Sequence, residues 1–298
     1  MIRPVDPDRD TPDVVELIHE VFPATTTTVE SWRQQFASIP ARARHAGWVA
    51  VAEGRVVGHA EASLNWFSET RTAFADVSIK RAFRRRGIGS RLWELADAHL
   101  GEVAPSRVLT MFTENPEAVR FARTRGFAET RAAWLSYVDP RTVDLAPLDS
   151  ADVQLVPLSE LDPREVYEVD VAITADVPMT DELTDIRYDE WLETIWRRPT
   201  MALDGSFAAM VDRRAVSLTM LAANLEVGRA FNEHTGTLPG YRRRGLARLV
   251  KLASLRWAAA NGITAVWTTN DETNAPMLAV NRRLGYEPLL RRVEYMRE

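Results

Sequence analysis

Two stretches of this 298-residue chain combine the residue types that hold phosphate. Arg84-Arg85-Arg86-Gly87-Ile88-Gly89 and Arg242-Arg243-Arg244-Gly245-Leu246-Ala247 share the form Arg-x-x-Gly-x-Gly/Ala and lie 158 residues apart. A glycine turn lets backbone N–H groups approach a ligand closely, and the following helix N-terminus adds partial positive charge. Arginines supply charge and forked donors that match phosphate oxygens. The expected chemistry is an anion cradle. Neither stretch fits a dinucleotide fingerprint, because Leu92 stands where a third small residue is needed and the second copy has one glycine. Neither is a phosphate loop of the Gly-Lys-Ser/Thr kind.

Each cradle must be presented by a strand on one side and a helix on the other. Thr72 to Ile79 and Phe231 to Leu238 read as the strands. Helical patterns follow, with Ile88, Leu92, Leu95 and His99 on one face in the first copy and Leu246, Leu249, Ala253 and Trp257 in the second. The surroundings repeat as well. Asn115 matches Asn274, Gly126-Phe127 matches Gly285-Tyr286, and Trp48 matches Phe207, each 159 residues on. The chain reads as a tandem duplication, α/β in class, with domains at 1–140 and 150–298 and an Asp- and Pro-rich linker over 139–152. In the first half, helices are expected over 11–22, 28–38 and 115–124, and strands over 2–5, 47–52, 56–64, 107–112, 128–131 and 134–138. The second half repeats the plan, with helices over 162–175, 188–197 and 276–284. Its strands fall at 153–156, 206–211, 215–223, 265–269, 287–290 and 292–296.

Strand, Arg-x-x-Gly-x-Gly/Ala, helix and strand, then an asparagine-started helix closing on Gly-Phe/Tyr, resembles the GNAT (GCN5-related) N-acetyltransferase superfamily. The resemblance covers both halves, and the tandem arrangement is similar to that of mycothiol synthase and other two-domain members. It implies two GNAT-like domains, each a mixed twisted sheet flanked by helices, and acetyl-CoA as cofactor. The residues that would hold it are Ile79, Arg81, Arg84, Arg85, Arg86, Gly87, Ile88, Gly89, Ser90 and Asn115 in the first half. In the second they are Thr237, Leu238, Pro239, Arg242, Arg243, Arg244, Gly245, Leu246, Ala247, Arg248, Asn270, Asn274 and Asn281. Backbone donors near Thr237 to Pro239 would hold the thioester carbonyl. The family's usual tyrosine acid falls on Ala122 and Asn281 here, so both halves lack it.

Asn115 and Asn274 serve equally well as helix caps. Asn281 lies on a face expected to look inward, where an amide needs partners. Amine attack on a thioester needs a proton acceptor. The family position for that acid falls on Ala73 and Phe231, and Glu233, two residues on, shares the face of Phe231 if the strand alternates regularly. Glu233 is the candidate base, with pairing to an arginine as its structural alternative; Asp76 is the nearest acid in the first half. The second half is expected to carry the chemistry, since Thr237-Leu238-Pro239 is closer to the family's strand-end pattern than Ile79-Lys80-Arg81.

A net charge of −5 argues against nucleic-acid binding as the main role. There is no cysteine, which removes disulfides and thiol chemistry. Of the five histidines only His234 lies in a strand beside the expected cleft, and without companions it predicts no metal site. No apolar run is long enough to span a membrane, and a cytoplasmic monomer or homodimer is expected. The acids at Asp176, Asp181, Glu182 and Asp185 suit either a solvated loop or a cationic acceptor. The leading expectation is an acetyl-CoA-dependent N-acetyltransferase acting on a primary amine of a small molecule or peptide. A non-catalytic acyl-CoA-binding regulatory protein is the alternative.

Overall fold

A computed structural model of the chain describes residues 1–144, 152–175 and 177–298. The chain runs β1 (Ile2–Pro4), α1 (Pro7–Val21), α2 (Val29–Ser38), β2 (Ala46–Ala52), β3 (Arg55–Leu64) and β4 (Thr72–Ile79). It continues through α3 (Ile88–Val103), β5 (Arg107–Thr113), α4 (Pro116–Arg123) and β6 (Ala128–Val138). The second pass is β7 (Gln154–Pro157), α5 (Pro163–Thr174), α6 (Tyr188–Trp191), β8 (Phe207–Val211), β9 (Arg214–Asn224) and β10 (Arg229–Thr237). It closes with α7 (Leu246–Ala260), β11 (Ala265–Asp271), α8 (Ala275–Arg283) and β12 (Glu287–Arg297).

Local chemistry sets most helix starts. Asp6, Asn115 and Asp162 each cap a helix that begins with proline, and Thr28 and Ser31 form a reciprocal capping box. The Asp6 cap begins α1 four residues before the expected start. The helix expected over 188–197 is a single α-turn that widens into a π-turn over Leu192–Trp196. In α3 the buried stripe is Leu92, Trp93, Ala96, Leu100 and Val103, whereas Leu95 is exposed and His99 bonds the Arg44 carbonyl. The inward face is thus turned from the one first read, because Trp93 offers more apolar area than His99. In α7, Leu246, Leu249 and Ala253 are buried as expected, and Trp257 packs on a separate cluster that includes Leu252 and Leu255.

The chain forms two compact units that are not contiguous in sequence. The first comprises residues 1–131, 180–190 and 292–298; the second comprises 132–179 and 191–291. The boundaries 1–140 and 150–298 therefore differ from the compact units in three segments. The linker expected over 139–152 lies partly outside the described residues. In the first unit the strand order is β1-β2-β3-β4-β5, and Arg292–Arg297 of β12 pairs antiparallel with β5. In the second, Ala133–Val138 of β6 pairs antiparallel with β11, followed by β10, β9, β8 and β7. Each unit thus takes a strand from the other half of the chain. The pairs of short strands expected at 128–138 and 287–296 are in both cases one continuous strand. The residues between the expected pairs, Ala132, Ala133 and Arg291, include no glycine or proline to interrupt either strand.

Within the first unit, α1 and α2 cover one sheet face around Val14, Trp32, Val49 and Val56, and α3 covers a cluster around Ala50, Val57, Ala60 and Leu92. In the second, α7 packs Leu252 and Leu255 against Leu221, Ala230 and Val266.

Candidate active site

The site in each unit begins where a parallel strand pair ends. In the first, β4 and β5 pair over Thr72–Phe74 and Arg107–Leu109 and then separate. In the second, β10 and β11 pair from Arg229–Ala265 to Asn232–Thr268 and then separate. In both, the upstream strand continues for five residues along its antiparallel neighbour. The result is a wedge between strands, open toward the arginine loop.

The two loops have one geometry. Each strand ends in a 3₁₀ turn, Arg81–Phe83 or Pro239–Tyr241. Nε of Arg84 donates to the Ile79 carbonyl at 3.2 Å, and Nε of Arg242 donates to the Thr237 carbonyl at 3.1 Å. The first arginine of each triplet therefore ties the loop back to its strand. Arg85 and Arg243 share a left-handed φ of 62°, and Arg86 and Arg244 lie over the rings of Phe83 and Tyr241. Gly87 and Gly245 cap α3 and α7 in the left-handed region, at φ of 76° and 80°. A Cβ built on either would meet nothing within 4 Å. These positions face open space, so the cradles fit a ligand that approaches backbone.

A cavity of 760 Å³ lies in the first unit. That volume suits a cofactor-sized ligand. Arg84, Arg85, Gly87, Gly89 and Ser90 form its anion-binding end. Arg125 donates to the Ser90 hydroxyl at 3.0 Å and lies 3.5 Å over the Phe121 ring, its buried Nε without a partner. Burial pulls this guanidinium below its ordinary value. Of the other first-half candidates, Ile79 and Asn115 line the cavity, while the backbone N–H of Arg81 donates to Glu20. Asn115 accepts from Ala118 N–H and donates to the Thr113 carbonyl, both at 2.9 Å, so both ends of its amide serve the helix cap.

The far end of the cavity is acidic. Glu61 on β3 faces Asp76 on β4 as direct cross-strand neighbours, and His59 lies two residues before Glu61 on the same face. Like charges in that position repel. Asp76 is reachable from the cleft mouth, and Thr110 donates to it at 2.9 Å. Desolvation by the surrounding cleft walls, then the Glu61 carboxylate, push Asp76 up to about 6 although its side chain is exposed at the mouth, against the lowering effect of the Thr110 hydroxyl and Arg292. His59 is 7% exposed, its Nε2 has no partner, and burial lowers its basicity. Sequence reasoning missed Glu61, His59 and Arg125. Alternate polar positions on an otherwise apolar strand were the available signal for the first two. The expectation that only His234 stands in a strand by the cleft is corrected by His59.

In the second unit the register of β10 shifts between Asn232 and His234. Glu233 is the extra residue of this bulge, so the alternation that placed it on the face of Phe231 does not hold. Its carboxylate accepts from Arg198 at 2.5 Å. Leu238 N–H donates to the Val216 carbonyl and Pro239 has no N–H, which leaves Thr237 alone of the proposed carbonyl donors. Asn274 caps α8, accepting from Met277 N–H at 3.3 Å. Asn281 is buried and donates to Asn270 at 2.6 Å, with its own Oδ1 unpartnered. Asp181, read as part of a solvated loop or cationic subsite, is neither. Within the first unit it is buried and accepts from Asn65, Ser68, Thr70, Thr72 and Arg107. Asp176 lies outside the described residues.

Among the described residues no helix is long and apolar enough to cross a membrane, and no group of three or more His, Asp or Glu side chains could hold a metal ion. The acetyltransferase (GNAT) family profile matches residues 11–127 and 169–286, one match for each cradle. The chain belongs to the GNAT acetyltransferase family. It is 26% identical over 275 residues to a mycothiol acetyltransferase of Thermobifida fusca, covering 82% of this chain and 79% of that protein. A mycothiol acetyltransferase of Amycolatopsis mediterranei is also 26% identical, over 80% of this chain and 79% of that protein. A tandem GNAT protein from the clavulanic acid biosynthesis pathway has the same fold, with a TM-score of 0.77 and 22% identity over 99% of this chain and 97% of that one. A GCN5-related N-acetyltransferase from Sphaerobacter thermophilus superposes with a TM-score of 0.74 at 18% identity, over 100% and 95%.

Proposed function

We propose that the protein transfers the acetyl group of acetyl-CoA to a primary amine of a small molecule or peptide, with Asp76 of the first unit as proton acceptor. Family membership supports acetyl transfer, and the two open cradles support a pyrophosphate-bearing donor. The observation that carries the reading is the 760 Å³ cavity, with arginines and a left-handed glycine at one end and the Glu61–Asp76 pair at the other. Acetyl-CoA supplies an activated acyl group and a thiolate able to leave without a protein acid. The chain's part is to hold the phosphates at Arg84, Arg85 and Gly87, attract the ammonium with Glu61 and Asp76, and take its proton. A carboxyl of about 6 is ionised at neutral pH yet basic enough to relay a proton from an ammonium through water. This geometry favours Asp76 over Glu233, whose carboxylate is already held by Arg198.

The test is acetyl-CoA binding by calorimetry together with thiol release across a panel of small-molecule and peptide amines. Binding with amine-dependent thiol release, lowered in Asp76→Asn, is expected. Binding without turnover on any amine would favour the regulatory alternative, and absence of acetyl-CoA binding would overturn the assignment.

A further inference from the structure

His234 occupies in the second unit the place that Asp76 occupies in the first. Asp76 lies three residues before Ile79, whose carbonyl holds Arg84; His234 lies three residues before Thr237, whose carbonyl holds Arg242. Each stands two residues past the last parallel pair of its strand, Phe74 with Leu109 or Asn232 with Thr268. The β10 bulge at Glu233 brings His234 into this position.

The imidazole is oriented. Nδ1 of His234 bonds Oδ1 of Asp170 at 2.5 Å, and Oδ2 of Asp170 accepts from the Trp191 indole at 2.8 Å. Asp170 is buried on the apolar stripe of α5 between Val166 and Ile173. An acid there costs desolvation unless its partners repay it. Nδ1 thereby carries the proton, and Nε2, which makes no protein hydrogen bond and reaches solvent, is left with its lone pair. A histidine fixed by a carboxylate through one nitrogen and open at the other is the general arrangement of a proton acceptor. The opposite wall carries polar atoms in need of a ligand. The buried Thr269 hydroxyl, one residue past the last pair on β11, has no partner, whereas its counterpart Thr110 donates to Asp76. Asn281, joined to Asn270 on β11, is buried with Oδ1 unsatisfied.

We propose that the second unit is a catalytic site in its own right, in which His234, held by the positioning residue Asp170, takes the proton from the acceptor amine. The inference rests on the acetyl-transfer reading above. The ammonium gives its proton to Nε2, and the neutral nitrogen forms a C–N bond to the thioester carbonyl carbon. The C–S bond breaks and the electron pair leaves with the thiolate, which takes the second proton shed by the nitrogen through water, and the imidazolium proton passes to solvent.

The groups around His234 set its titration. Burial lowers its basicity, and Asp170 on α5 together with Glu233, which Arg198 partly neutralises, more than offset this and raise it. Lys251 on α7 bonds Asn232, and Met220 opposite on β9 is uncharged. Activity that needs neutral imidazole therefore rises with pH through a value above that of free histidine, about 6.5.

The test uses full-length Asp76→Asn, which silences the first site, with kcat/KM followed against pH. Residual transfer is expected. Adding His234→Gln should lower it by about a hundred- to ten-thousand-fold at pH 7, with the loss shrinking at high pH as free amine accumulates. Adding Asp170→Asn should move the rise to lower pH, a change that loss of packing alone would not produce. Adding Glu233→Gln should change turnover by only a few-fold. Calorimetry on each variant, showing unchanged acetyl-CoA stoichiometry, checks that the second unit is folded. The dyad assignment fails if Asp76→Asn abolishes all transfer while two acetyl-CoA molecules still bind. It also fails if His234→Gln has no effect in that background, or if Glu233→Gln costs more than His234→Gln. If the unaltered protein binds no acetyl-CoA, the acetyl-transfer reading fails with it.

Discussion

A carboxylate serves as a base near neutral pH when its surroundings hold it close to its point of titration, and desolvation in the cleft, then Glu61, do this for Asp76. The two face each other across β3 and β4, so ionising both costs repulsion that falls on Asp76. The expected kcat/KM profile in the first unit rises with pH through about 6, because the active form is the ionised one. Removing Glu61 removes an influence that raises Asp76. In Glu61→Gln the acidic limb should therefore move to lower pH, and a limb that stays put or moves up would exclude this coupling. Asp76→Asn should lower first-site turnover by about a hundred- to ten-thousand-fold near pH 7. Lys251 presents the opposite case. Fully buried, bonded to Asn232 at 2.6 Å and lying over Tyr286, it is pulled down to about 7 by burial. Unfolding returns it to its ordinary basicity, so the unfolded chain takes up a proton between about 7 and about 10.4. The linkage makes Lys251 contribute stability that grows as pH rises across that window and levels off below it. Denaturant unfolding of Lys251→Met should lack that increment. An unchanged pH slope would place the ammonium in a better-solvated setting than its burial indicates.

At the scale of elements, the cradle is a strand end, a 3₁₀ turn and a helix start joined by a glycine in the left-handed region. A side chain at Gly87 or Gly245 meets two penalties with separate readouts. The φ near +80° strains any L-residue by about 1–2 kcal/mol, which thermal unfolding would register. The side chain also fills the space that the open backbone leaves for a ligand. Gly245→Val should weaken acetyl-CoA binding at the second loop sharply and leave the first intact, which calorimetric stoichiometry resolves. Unchanged affinity and stoichiometry would remove the cradle assignment. The bulge in β10 is the other decisive element. One extra residue turns Glu233 toward Arg198 and His234 toward Asp170, so a single irregularity selects which side chain faces α5.

At the scale of the whole molecule, each compact unit borrows a strand from the far half of the chain. β5 of the first unit is covered by Arg292–Arg297, and Val293 and Tyr295 there are almost fully buried, Tyr295 stacking on Phe112 at 5.2 Å. Tyr295→Ala should destabilise the first unit by about 3–5 kcal/mol, as large-to-small changes of core aromatics do. Ending the chain after Arg291 should lower the first melting transition further. Contiguous halves expressed as 1–140 and 150–298 should each fold poorly, for want of a strand. Well-folded, acetyl-CoA-binding halves would argue that the exchange is dispensable.

Much of this was legible in the residues alone. The duplication, the two arginine–glycine loops, the helix caps at Asn115 and Asn274, and the α/β alternation all depend on short-range chemistry. A cap or a glycine turn acts over a few residues, so its consequence is local and its signal survives in sequence. What the tertiary structure decided is non-local. Alternation could not show that β10 slips by one residue, since a bulge is settled by the partner strand; it therefore misplaced Glu233. Nor could it show that Asp181 is buried under five donors, or that Glu61 stands opposite Asp76. The exchange of β6 and β12 lies furthest from local signals. Each strand has the same pattern whichever sheet it joins, and only the burial available at each sheet edge decides where it goes.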